Sequence, residues 1–175
     1  MTIHRKQLVW VLSVFFVVLA ADQVTKALLC HYIPYGSVPF NGHERDFFWL
    51  AHERNPGLVG GMFRDVRIVA AVAPVVATAV LIYLFRHLDP RSTLQSIAYG
   101  MVAGGAIGNL VDRIFRHEVV DFLQFYFWFI PFNFPWKLYP AFNIADTNIC
   151  VGVFLLLVTW CRARHDEEPH AAHAD

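Results

Sequence analysis

Charge and cysteine are both scarce in this 175-residue chain. Fourteen basic residues balance fourteen acidic ones, and together they make up 16% of the sequence, against about 25% in an average soluble domain. With no net charge, there is no field to draw the chain to nucleic acid or to acidic ligands. Three cysteines, Cys30, Cys150 and Cys161, are too few and too scattered for a disulfide framework or a zinc site. They lie in or beside apolar runs and are expected as buried free thiols. Internal repeats are absent. So are G-x-S-x-G and H-E-x-x-H, the local signatures of a serine hydrolase and of a zinc peptidase. Apolar residues, by contrast, fill 57% of the chain, with sixteen Phe and five Trp. That load excludes intrinsic disorder and exceeds what a water-soluble domain of this size needs.

Four apolar runs are long enough to cross a bilayer, which takes roughly 17–25 helical residues. They fall near 8–29, 68–85, 97–114 and 141–161. The first follows His4, Arg5 and Lys6 and carries Val18-Leu19-Ala20, the look of a cleavable signal peptide. Three further spans downstream favour its retention as an anchor. Ala27-Leu28-Leu29-Cys30 fails as a lipid-acceptor box because Leu29 stands where a small residue is needed. An even number of spans puts both termini on one side. The termini with the 86–91 loop hold six basic residues, and the other two loops, counted with Arg113 at the end of the third span, hold seven, so the raw count of flanking charge does not orient the chain. Charge density favours cytoplasmic termini.

The outer loops, 30–67 and 115–140, are too long and mixed to be plain connectors. Phe47-Phe48-Trp49-Leu50 suits a short strand, and Asn41-Gly42 and Asn55-Pro56-Gly57 suit turns. Residues 122–142 hold eleven aromatics and three prolines. The prolines break a long helix, and the aromatics suit a membrane–water interface. The fold expected is therefore an all-α membrane protein, a four-helix transmembrane bundle with a small β-rich outer subdomain, as one domain over 1–165. A polar, disordered tail over 166–175 is expected to follow. The spacing of its histidines fits no metal-ligand pattern.

Ionisable groups inside spans cost roughly 2.5–3.5 kcal/mol each even on the lenient scale, yet this chain has several. Asp22 and Lys26 are spaced i, i+4 on one face of the first span and can pair. Asn109, Asp112 and Arg113 share a face of the third span, and Asn143 and Asp146 open the fourth. Asp121 lies between spans. The end of an odd span and the start of an even one meet at the same membrane face. Asp22, Asn109, Arg113, Asp121, Asn143 and Asp146 thus gather at one depth, with Asn55 and Gly57 of the long loop on that side. Gly100, Gly104 and Gly108, four apart, read as a helix-packing stripe.

Two aspartates sharing a site do not both ionise easily, so one serves as base and the other as acid. The carboxylate takes a proton from water, and its partner protonates the leaving nitrogen. Such a pair at Asp121 and Asp146 hydrolyses a peptide with no metal, no cofactor and no covalent intermediate. A small transport subunit, relaying protons or binding a cation through these carboxylates, is the alternative. It needs polar groups through the full thickness, and the 68–85 span offers nothing stronger than Thr78 and Tyr83. A scaffold of helix-joining ion pairs does not need two interfacial aspartates.

Asp22-Gln23-Val24-Thr25-Lys26, Asn55-Pro56-Gly57, Gly104 through Arg113, Val119-Val120-Asp121-Phe122 and Phe142-Asn143-Ile144-Ala145-Asp146 stand in this order. In that order and spacing they resemble the bacterial lipoprotein signal peptidase, or signal peptidase II, family. The resemblance implies an aspartyl endopeptidase of the inner membrane, multi-pass, with cytoplasmic termini and a site near the periplasmic side. It would remove the signal peptide of a prolipoprotein just before a diacylglyceryl-modified Cys. The resemblance matches Asp121 and Asp146 to the catalytic pair. Asn109, Arg113, Asn143, Asn55, Gly57, Gly108 and Ala145 match substrate-binding or supporting positions. Asp22, Lys26 and Asp112 match polar positions needed for activity or stability. The implied partners are lipid-modified prolipoproteins and membrane lipids, with no nucleic acid, and the enzyme is expected as a monomer. One departure is that Leu58, Val59 and Gly60 follow the Asn-Pro-Gly, with Met62-Phe63 only later. The family usually places small residues and then an aromatic there.

Overall fold

The computed structural model describes residues 3–37, 46–57 and 91–171, with scattered positions between 76 and 89; from residue 163 onward only the backbone is described. Among the described residues the continuous elements run in the order α1 (Ile3–Tyr32), β1 (Phe48–Asn55), α2 (Thr93–Phe115), β2 (Val119–Phe125) and α3 (Ile144–Ala171). Among the described residues, three stretches, His4–Tyr32, Thr93–Phe115 and Ile144–Arg162, are long and apolar enough to span a membrane. The span expected at 68–85 lies largely outside the described residues, as do the 41–42 turn and the Leu58–Phe63 segment. The backbone of the polar segment expected to be disordered continues α3 as far as Ala171.

Helix α2 is the centre of the bundle because its small residues let both neighbours come close. A Cβ on Gly100 would sit 2.8 Å from the Val11 carbonyl oxygen, and one on Gly104 2.8 Å from that of Phe15. On the other side, a Cβ on Gly105 would fall 2.5 Å from the Ala145 oxygen, and Gly152 of α3 answers with 2.7 Å to the Ala98 oxygen. Without a hydrophobic force between helices in lipid, such close backbone packing is what holds them. The outer faces of α1 and α3 stay apolar and exposed, for example at Phe16, Val17 and Phe154, as a lipid-facing surface requires. Gly104→Ala is therefore expected to destabilise the bundle by about 1–3 kcal/mol through overpacking. A thermal melt in detergent measures this, and an unchanged midpoint would contradict the packing.

The cysteines correct the sequence reading. Cys150 and Cys161 are exposed on the outside of α3, and Cys30 is half-buried. An apolar run facing lipid and one facing protein have the same composition, so burial within the chain was not readable from it.

Helix α2 ends where His117 adopts a left-handed backbone (φ 66), and two residues later the chain enters β2. This tight return carries Asp121 back beside the end of the helix. Strands β1 and β2 pair antiparallel, from Phe48↔Phe125 to Asn55↔Val119. Between Leu50↔Leu123 and Glu53↔Asp121, two residues of β1 oppose one of β2, a bulge at Ala51 and His52. Residues 138–142 add to the other edge of β2 through Leu123↔Phe142 and Tyr126↔Leu138. The inner face of the sheet, Val120 and Phe122, packs on Leu29 at the end of α1. The sheet is thus fastened over the same end of the bundle where α3 begins.

Candidate active site

The start of α3 organises the site. Asn143 precedes the helix, and its side-chain oxygen accepts the backbone N–H of Asp146 (2.9 Å), while an Asp146 carboxylate oxygen accepts the backbone N–H of Asn143 (3.3 Å). This reciprocal capping satisfies two helix-end donors at once. It also sets the Asn143 amide, because an oxygen taken by an N–H leaves the amide nitrogen pointing away. That nitrogen donates to Asp121 Oδ1 at 2.7 Å. One asparagine therefore bridges the two aspartates.

The other two asparagines are oriented by the same logic. Asn55 ends β1, its oxygen accepts the Gly57 N–H (3.0 Å), and its nitrogen donates to Asp121 Oδ2 (3.0 Å). Asn109 accepts on its oxygen from the Lys26 ammonium (3.0 Å), which can only donate, so its nitrogen donates to Asp146 Oδ1 (2.8 Å). Each aspartate thus receives a donor on both oxygens. Asp121 is buried. Burial, first, and the Asp146 carboxylate push its carboxyl up to about 7, against the hydrogen bonds from Asn55 and Asn143 and the charge of Lys26.

Beneath this layer is an ion cluster. Lys26 Nζ lies 2.8 Å from Asp22 Oδ2 and 2.7 Å from Asp112 Oδ2, with all three side chains fully buried. The second Asp22 oxygen accepts the Ala145 N–H at the start of α3 (3.0 Å), where the helix dipole favours negative charge. The second Asp112 oxygen pairs with Arg116, and Val120 of β2 donates its N–H to Oδ2 of Asp112 (3.3 Å). Two cations and two carboxylates balance, which a buried cluster requires. Gly108 is needed here because a Cβ would lie 2.6 Å from Asp22 Oδ2. Arg113 reaches outward from α2. It donates to the Gly57 carbonyl (2.9 Å) and to the Asn109 carbonyl (3.2 Å), and its buried Nε has no partner among the described residues.

This architecture has known counterparts. Two solved bacterial membrane enzymes share the fold. One has a TM-score of 0.74 at 24% identity, over 90% of each chain. The other has a TM-score of 0.68 at 25% identity, over 86% of this chain and 91% of that one. Among curated proteins, a lipoprotein signal peptidase of Bacillus pumilus is 37% identical over 145 residues, 82% of this chain and 86% of that protein. One of Anoxybacillus flavithermus is 38% identical over 148 residues, covering 83% and 82%. Residues 14–162 match the family profile of signal peptidase II. The chain belongs to the signal peptidase II family. As a member of that family it is a membrane peptidase of lipoprotein processing, and the function that follows is removal of signal peptides from prolipoproteins.

All twelve site residues expected from the sequence lie in this one hydrogen-bonded region, in two layers. Asn55, Gly57, Asn109, Arg113, Asp121, Asn143 and Asp146 form the upper one. Asp22, Lys26, Gly108, Asp112 and Ala145 form the lower. Two members escaped the sequence reading. Gln23 donates to the Gly108 carbonyl (3.0 Å) and to Asp112 Oδ1 (3.2 Å), and accepts from Arg116 (2.9 Å). Arg116 lies i+4 from Asp112, a spacing that itself signals pairing.

Proposed function

We propose that this peptidase is aspartic and metal-free, with Asp146 as the base and Asp121 as the acid, cutting just before a diacylglyceryl-modified Cys. The single observation that carries this is the Asn143 bridge between two carboxyl groups held by oriented amides. Asp146 sits in the first turn of α3, where backbone N–H groups favour a carboxylate. Asp121 sits in the strand at the other end of the bridge and keeps a proton near neutral pH. Asp146 then takes a proton from water, the hydroxide adds to the scissile carbonyl, and Asp121 hydrogen-bonds that oxygen and protonates the leaving nitrogen. The site lies at the ends of α1 and α2 and the start of α3. With both termini cytoplasmic, that end is the periplasmic one, where an exported lipid-modified segment presents its cleavage site.

The pH profile tests the acid assignment. Asp121 is competent only while protonated, so kcat/KM is expected to fall as pH rises through about 7. Asn55→Ala removes a hydrogen bond that favours the charged form and should move that limb to higher pH. The folded chain also holds this proton more tightly than the unfolded chain. Stability should therefore decline as pH rises from the ordinary aspartate range towards about 7. A rate flat through alkaline pH would remove Asp121 from the acid role.

Arg113 is the candidate for holding substrate backbone. Its guanidinium already pins the Gly57 carbonyl, and its buried Nε has no partner among the described residues. Arg113→Lys keeps the charge but loses the planar fork. Cleavage should drop about 10- to 100-fold, the worth of a hydrogen bond to a charged group, with little change in melting temperature. Full activity would make Arg113 a charge partner only.

A further inference from the structure

Residues 126–139 form an arm that the catalytic geometry does not use. Its legs are joined by the Tyr126↔Leu138 bridge and by Phe127 N–H donating to the Lys137 carbonyl (2.8 Å). Phe127 and Phe134 pack within it, 6.3 Å between centroids, and Phe47 of the opposite loop stacks on Phe125 at its root. The tip, however, turns its largest rings outward: Trp136 is 65% exposed, Phe132 64%, Phe129 56% and Trp128 41%. Lys137 is the sole charged residue from 122 to 142. A contiguous apolar surface of this kind marks an interaction site, not a face in water.

We propose that this arm is a lipid-docking wedge, seated in the interfacial layer of the bilayer beside the site, and that its seating sets the height of the two aspartates. Three observations favour lipid as the occupant. Tyr139 lies five residues before Ile144, where α3 starts as a membrane-crossing helix, so the arm leaves the fold at the level of the membrane surface. Its backbone is not helical, which excludes it from the lipid-exposed hydrocarbon core but suits the interface. Aromatic rings with a lone lysine and no acid match the aromatic belt and the phosphate-rich headgroup zone. The coupling to the site is covalent. Asp121 stands five residues before Tyr126 and Asn143 four after Tyr139, so Asp121 and the asparagine that joins it to Asp146 are both rooted at the arm's base. Only this second half of the proposal rests on the peptidase reading.

The test uses full-length protein with Trp10, Trp49 and Trp160 changed to Phe, leaving Trp128 and Trp136 as emitters. It is reconstituted in phosphatidylcholine–phosphatidylglycerol vesicles brominated either high or low on the acyl chain. An interfacial segment lies roughly 5–10 Å into the headgroup–acyl boundary, so the high bromines should quench at least about twofold more than the low ones. Should that background fail to fold, the difference between wild type and Trp128→Phe/Trp136→Phe reads the same quantity. Phe129→Ser/Phe132→Ser should red-shift the emission and lower cleavage in vesicles through a higher KM, with kcat kept. Water-like emission without lipid quenching, in protein that still cleaves, would overturn the wedge and leave the peptidase reading intact. Full quenching in protein that fails to cleave would do the reverse. Shielding that grows with the protein-to-lipid ratio would assign the face to a second copy and also overturn the wedge.

Discussion

Asp121→Asn and Asp146→Asn are each expected to lower signal-peptide cleavage by about 10²–10⁴-fold, the usual worth of a general acid or base. An amide cannot take a proton from water at neutral pH, and it cannot share one with a partner. The volumes are nearly equal, so packing survives. Hydrogen bonding does not survive completely. Asp121 accepts from Asn143 on one oxygen and from Asn55 on the other, and Asp146 accepts from Asn109 and from the Asn143 backbone. Replacing one oxygen by NH2 sets donor against donor at one of those contacts, whichever way the amide turns. A loss of about 1–3 kcal/mol in stability is therefore expected alongside the catalytic loss. The two are separated by measuring turnover and thermal melting on one preparation. A folded variant with near-normal turnover would dissolve the dyad.

Lys26→Met should give the largest loss of stability, about 3–5 kcal/mol, as expected when one partner of a buried ion pair is removed. The ammonium has three protons and three acceptors within 3.0 Å: Asp22, Asp112 and Asn109. Its removal leaves two fully buried carboxylates with Arg116 as the remaining cation. It also removes one of two donors to the Asn109 oxygen, leaving only the Asn143 amide (3.2 Å) to orient the nitrogen that donates to Asp146. Cleavage should fall with stability although Lys26 is buried beneath the dyad. Adding Asp22→Asn to Lys26→Met should recover part of the loss, since one uncompensated charge is gone. A melting temperature unchanged by Lys26→Met would show that the cluster carries no net stabilisation.

Much of this site was legible because polar residues in an apolar chain are costly and therefore informative. The i, i+4 spacing of Asp22 and Lys26 pointed to their contact. The depth at which each span turns polar pointed to one shared end. Other features depend on partners far apart in sequence and were not legible. Nothing local shows that Asp112 would receive Lys26 from one helix and the Val120 N–H from a strand. The bulge in β1 sets which residue faces Asp121, and an alternating pattern does not display a two-against-one pairing. Asn143 looked like a polar neighbour of the dyad. Its role as helix cap and bridge emerges only when Asp121 is brought to its amide. The aromatic content of the 122–142 stretch was plain in the sequence, and the outward turn of its tip emerges only from the fold.

The most direct measurement incubates the purified protein, with a chelator present, with two forms of one prolipoprotein, one carrying diacylglycerol on the Cys and one unmodified. Product masses are then read by mass spectrometry. Aspartic, metal-free signal peptidase II chemistry requires a single cut immediately before the lipidated Cys, little or none in the unmodified form, and loss of that cut in Asp121→Asn and Asp146→Asn. A lipidated substrate left intact by folded protein, or cut only when metal is restored, would contradict it.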